Sequence, residues 1–234
     1  MSYDKFRLLF SIIILILVIV YIANKTIFGK NGLTTKTITR VGIFGALSAI
    51  LYIVPALKFS VPFFPSFLEI HFDEIPAMIG GFAYGPLTGF LIILLKTLIK
   101  LPFTSTLGVG ELADFVYGSI MVVVSAIIYK RHRNIKGALF GFLIATGVQL
   151  LASSFITTFL ILDFYIFMMG FPKQAILSMC QAINPSIKTL SWDFLFMVAL
   201  PFNAFKDAII MVLTFLLYKQ TRRFIDYIAR TQKN

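Results

Sequence analysis

Residues 137–162 run for 26 positions without a single charged side chain. An α-helix needs about 20 mostly apolar residues to cross a bilayer, so this run belongs in a membrane. The composition agrees, because 59% of the 234 residues are hydrophobic and only 13% are charged. Mean hydropathy is +0.91. A soluble domain is only about half apolar. The formal charge of +11 would suit nucleic acid, but the basic residues sit in short clusters between apolar runs. Membrane topology accounts for such clusters, and no nucleic-acid partner is expected.

Taken in order, the chain reads as alternating spans and loops. Residues 8–23 form a short apolar run preceded by Lys5 and Arg7, as in a signal peptide, but no small-x-small cleavage site comes after it. The next segment carries Lys25, Lys30, Lys36 and Arg40 and no acid, which marks a cytoplasmic loop after an uncleaved extra helix. Residues 40–57 are the next span. Pro55, Pro62 and Pro65 break the loop 58–73. Asp73 and Glu74 then suit the start of a helix, with capping the expected role of Asp73. Gly85-Pro86 divides the apolar run 75–101 into two short helices, about 75–84 and 87–101. That division keeps the basic loop 130–136 in the cytoplasm, whereas one long helix would put it outside. Residues 102–114 form an outer loop, 112–129 and 137–162 form spans, and 163–200 form a long outer segment containing a helix. The last span is 201–218.

The inferred inner segments hold 13 of the 21 Lys and Arg, but only Asp226 of the ten acids. The expected fold is therefore an all-α integral membrane protein with a six-transmembrane-helix core and one extra N-terminal transmembrane helix. The expected parts are 1–36, the extra helix and a basic loop; 37–220, the substrate-binding core; and 221–234, a basic cytoplasmic tail. Such a chain belongs in the cell membrane, multi-pass, with its C-terminus cytoplasmic.

Several chemistries are excluded. One cysteine, Cys180, permits no internal disulfide, and His71 and His132 lie in different loops, so no metal site is expected. No P-loop, H-E-x-x-H or G-x-S-x-G is present, so neither an enzyme nor a resident cofactor is expected. Polar residues instead gather near the outer ends: Thr104, Ser105, Thr106, Glu111, Asp114, Asp163, Asn203, Lys206 and Asp207, interleaved with Phe, Trp and Tyr. Together they suit a neutral or weakly charged aromatic ligand; singly, each also fits an interfacial position. Lys206 stands out because it lies close behind an apolar run. Gly42 with Ala46, and Gly45 with Ala49, make a small-residue stripe. That stripe fits either a partner helix or packing within the chain. A self-sufficient secondary transporter or a membrane enzyme using Glu111, Asp114 and Asp163 is the competing class, disfavoured because no paired repeats appear.

The stretch FPSFLEIHFDEIPAMIGGFAYGP, with LLKTLIK, LGVGELADF and PFNAFKD after it, resembles the riboflavin-binding S-components of energy-coupling factor transporters over residues 40–220. The resemblance implies a vitamin-binding subunit that works with a transmembrane coupling subunit and two ATP-binding subunits. It implies that Asn203 bonds the pyrimidine-like edge of the isoalloxazine and that Lys206 contacts a carbonyl or the ribityl chain. Gly108 and Glu111 match the family's loop. Phe64, Phe67 and Leu68 would cover the ring, and Gly42, Ala46 and Ala49 would face the coupling subunit. The chain departs from the family at Asp114, Asp163 and Thr97, where Asn is common. Another vitamin or a flavin derivative is the alternative ligand.

Overall fold

The computed structural model describes residues 34–231, with side chains described as far as Thr221. The run 8–23, expected to form an extra helix, lies outside the described residues. Within them the elements are α1 (Thr35–Ile53), β1 (Phe59–Ser60), β2 (Glu69–Ile70), α2 (Glu74–Tyr84), α3 (Pro86–Lys100), α4 (Val109–Arg131), α5 (Ile135–Phe167), α6 (Lys173–Ile183) and α7 (192–231). Five of these helices, α1, α3, α4, α5 and α7, are long and apolar enough to cross a membrane.

Local chemistry sets the boundaries. The Thr34 hydroxyl accepts from the Thr37 N–H at 3.3 Å, so α1 begins earlier than the span expected from residue 40. It ends at Ile53 because Val54 precedes Pro55, which disfavours helical backbone. Gly85, with φ 101°, makes the tight turn between α2 and α3, and Pro86 occupies the first turn of α3, where no N–H is needed. The two short helices expected around Gly85-Pro86 are therefore present. At the start of α5, the Asn134 side chain accepts from the Gly137 N–H at 2.7 Å.

Two features correct the sequence reading. The loop 58–73 contains an antiparallel hairpin, with Phe59 opposite Ile70 and Ser60 opposite Glu69. The chain is thus mostly helical rather than purely so. The last span begins at Trp192, not 201, and Pro201 lies inside it. An interior proline removes a donor and crowds the carbonyl four residues back, here that of Met197. A π-helical turn, Leu195–Ala199, lies at that point, and its wider winding accommodates the break. A second π-helical turn, Thr157–Ile161, lies within α5. With α5 continuing to Phe167, the intervening segment shortens to 168–191, and α6 is the helix expected there.

The main core joins α2, α3, α4 and α7 through Met78, Phe82, Ile92, Met121, Tyr129 and Tyr218. Glycine lets α2 and α3 touch: a Cβ at Gly89 would lie 2.5 Å from Val122 Cγ1 and 3.0 Å from Gly81 Cα. A second cluster packs α6 against Leu162, Phe194 and Val198, with Phe67 and Leu68 at its edge. The small-residue stripe of α1 divides. Gly45 and Ala49 are buried, and a Cβ at Gly45 would meet Leu95 at 2.6 Å. Gly42 and Ala46 are exposed, and among the described residues nothing comes within 4 Å of a Cβ at Gly42. Ala49, expected on the partner face, belongs instead to the internal packing.

Gly89→Leu is expected to cost about 1–3 kcal/mol by overpacking, whereas Gly42→Ala leaves stability unchanged; thermal unfolding of the detergent-purified chain measures both. Cys180 is fully buried, and burial pushes its thiol up to about 11. Because the thiolate is the reactive form, Cys180 should resist maleimide in the folded chain and react once denatured, as mass spectrometry would show.

Candidate functional site

At one end of the bundle a cavity of about 230 Å³ opens between the end of α1, the hairpin, the start of α4, the π-helical turn of α5 and the upper part of α7. Its apolar wall is largely aromatic, with Tyr52, Phe67, Tyr117, Tyr165 and Phe202. Its polar groups include His71, Glu111, Asp114, Asn203 and Lys206. Glu111, Asp114 and Tyr117 recur every three residues, which places all three on one face of α4.

The loop before α4 is built from its own hydroxyls. The Thr104 and Thr106 hydroxyls donate to Glu111 Oε2 at 2.7 and 2.8 Å. In turn Thr104 Oγ1 accepts from the Gly108 N–H at 3.0 Å, and Thr106 Oγ1 accepts from the Gly110 N–H at 3.1 Å. Leu107 and Gly108, at φ 54° and 84°, bend the backbone to allow this. Glu111 is therefore fixed by its loop before any ligand arrives.

Behind the cavity lies a cluster of buried charges. Lys96 of α3 is fully buried and bonds both Asp73 and Asp114, the latter at 2.9 Å. The second oxygen of Asp73 faces His71 Nδ1 at 3.0 Å. Lys206 Nζ stands 3.6 Å from Glu74 Oε1 and 3.9 Å from Asp114 Oδ1, within ion-pair range but too long for hydrogen bonds. Asp207 is also buried, and among the described residues neither of its carboxylate oxygens has a hydrogen-bond partner. Charge held this deep is costly unless paired, so the lysines fix how α2, α3, α4 and α7 meet.

Asp73 occupies the cap position of α2, as expected, but makes no side-chain cap bond. The donors it would use are missing. The Ile75 N–H donates to the Phe72 carbonyl at 3.1 Å, and Pro76 has no N–H. A buried ammonium is also the stronger partner.

Of the residues expected to meet ligand, Phe67, Leu68, Thr106, Glu111, Asp114, Asn203 and Lys206 border the cavity. Asn203 Nδ2 also donates to Ser154 Oγ at 3.3 Å. Phe64 turns away and packs edge-on to Phe202, 5.3 Å between centroids, beside Val61 and Ile70. Gly108 shapes the loop without bordering the cavity. Asp163 is exposed while its neighbour Leu162 is buried and borders the cavity. The extra residue of the π-helical turn rotates the next stretch of helix by about 100°, which swings Asp163 outward. This also removes Asp163 from the acid group with Glu111 and Asp114. Trp192 is exposed and stacks on Phe196 at 6.1 Å between ring centroids.

Sequence reasoning missed Tyr52, His71, Tyr117, Thr157, Tyr165 and Phe202. Two carried a signal: Tyr52 continues the buried face of Gly45, Ser48 and Ala49, and Tyr117 continues that of Glu111 and Asp114. Thr157 and Tyr165 carried none, because a π-helical turn precedes or contains them.

A helical membrane bundle with a half-aromatic, half-ionic cup at one end is a small-molecule-binding membrane protein. Comparison with known proteins narrows the class. The family model for the ECF transporter substrate-specific component matches residues 36–218. The riboflavin transporter RibU of Staphylococcus aureus (strain TCH60) is 28% identical over 200 residues, covering 86% of this chain and 99% of that protein. The riboflavin transporter FmnP of Bacillus subtilis (strain 168) is 25% identical over 187 residues, covering 79% and 92%. A solved structure of the S component of a bacterial ECF transporter superposes with a TM-score of 0.59 at 25% identity, covering 81% of this chain and 97% of that one. The chain belongs to the family of ECF transporter substrate-specific components.

Proposed function

We propose that this chain is the riboflavin-binding subunit of an energy-coupling factor importer and holds the vitamin in the cavity at the end of the bundle. One observation carries the reading: flat aromatic walls stand beside an acceptor at Asp114 and donors at Lys206 and Asn203. An isoalloxazine has apolar faces and an edge where carbonyls flank an N–H, so it needs that combination. The riboflavin transporters among its relatives support the choice of ligand.

The cavity then faces outward and the C-terminus lies in the cytoplasm, as the basic clusters favour. The core 37–220 counts six spans if the 11-residue α2 is taken as a short one. ATP hydrolysis falls to two partner subunits, joined through a transmembrane coupling subunit. Gly42 and Ala46, exposed on α1, offer that subunit a flat surface in the bilayer.

Chain purified from cells supplied with riboflavin should be yellow, with the flavin's fluorescence quenched. Colourless protein that fails to quench micromolar riboflavin would overturn the ligand. Asn203→Ala should weaken binding by ~1–3 kcal/mol by removing a buried polar contact, and Asp163→Ala should leave affinity unchanged; fluorescence titration reads both. Gly42→Trp should abolish cellular uptake while the purified chain still binds riboflavin. Lost binding would mean that this face packs within the chain.

A further inference from the structure

The cavity has a residue behind it that does not border it. Lys96 is fully buried on α3, and its ammonium bonds Asp73, at the start of α2, and Asp114, on α4. Each carboxylate leads to a different polar group in the cavity wall. Asp114 gives Oδ2 to Lys96 at 2.9 Å, which leaves Oδ1 on the side of Lys206 and the cavity. Asp73 gives Oδ2 to Lys96 and Oδ1 to His71 Nδ1 at 3.0 Å, and His71 borders the cavity. The Tyr52 ring closes the group, 4.9 Å from Lys96 Nζ and 5.1 Å from the His71 ring.

We propose that Lys96 is a positioning residue for ligand binding: it touches no ligand but orients both Asp114 and, through Asp73, His71. This rests on the riboflavin reading and adds to it. With one oxygen held by an ammonium, Asp114 loses its freedom to rotate and presents the other oxygen as an acceptor. A carboxylate at Nδ1 requires a proton there, so a singly protonated His71 presents Nε2 as a second acceptor. Lys206 adds donors. The wall is thereby set for a ligand carrying at least two N–H or O–H groups and a carbonyl. In a flavin these are the imide N–H, the ribityl hydroxyls and a ring carbonyl. Ionic contacts in a low-dielectric interior are stronger than the same contacts in water.

The test is a double-mutant cycle on the detergent-purified full chain, read by riboflavin fluorescence quenching. Lys96→Gln should reduce affinity about tenfold or more, the size of a lost charged hydrogen bond. In an Asp114→Ala background, which leaves no acceptor at that position, the same change should cost under about threefold. Lys96→Arg, which keeps the cation, should recover most of the lost affinity. Lys96→Gln alone leaves two buried carboxylates without their cation and so threatens folding. The charge-balanced pair Lys96→Gln with Asp73→Asn avoids that and should still lose affinity about tenfold. Equal losses in both backgrounds, or wild-type affinity in the charge-balanced pair, would overturn the role of Lys96 and leave the riboflavin reading standing. A wild-type chain that binds no riboflavin would overturn both.

Discussion

Lys96 carries a full charge into the middle of a membrane bundle, and much of the structure is arranged to make that tolerable. Lys96 is fully buried, so its charge is met by Asp73 and Asp114, brought to it from the start of α2 and from α4. Apolar packing alone would allow several helix arrangements of similar energy, because lipid is as apolar as leucine. The ionic contacts are directional and discriminate between those arrangements. Lys206 does the same for α7, standing near Glu74 of α2 and Asp114 of α4. Four elements thus converge on two ammonium groups, and the cavity is the space left above them.

Two backbone irregularities shape that space. The π-helical turns of α5 and α7, Thr157–Ile161 and Leu195–Ala199, both contribute residues to the wall: Thr157 and Ile161 from one, Ala199 from the other. A regular helix would keep its side chains in register from end to end. The wider turns change which face points inward halfway along, so one helix can bury an apolar stripe below and present a different set of groups above. The Gly81–Gly89 contact works in the opposite direction by bringing α2 and α3 as close as backbones can come.

How much of this could be read from the sequence depended on the range over which each signal acts. Gly85-Pro86 is a local instruction, and the α2–α3 turn fell where it was expected. The charge-free run 137–162 forced a span, and Glu111 and Asp114 stood out as polar residues near the outer end of an apolar run. The hairpin strands, two residues each, are too short to show alternation. Asp163 looked like a ligand contact because it follows the uncharged span at its outer end, and the π-helical turn before it accounts for its outward position. Asp73 looked like a cap because its position is a cap position. The partner it chose, Lys96, is 23 residues away, and no local rule weighs a distant ammonium against a nearby N–H.

The hairpin that bears Phe67 and Leu68 is tied down on both sides. Glu69 pairs with Lys58, just before the adjoining strand, at 3.5 Å, and His71 is held through Asp73 to Lys96. Phe67 and Asp73 are six residues apart, so one short segment joins the aromatic wall of the cavity to the ion pair behind it. The aromatic wall and the buried charges are thus parts of one covalent segment rather than two separately placed features.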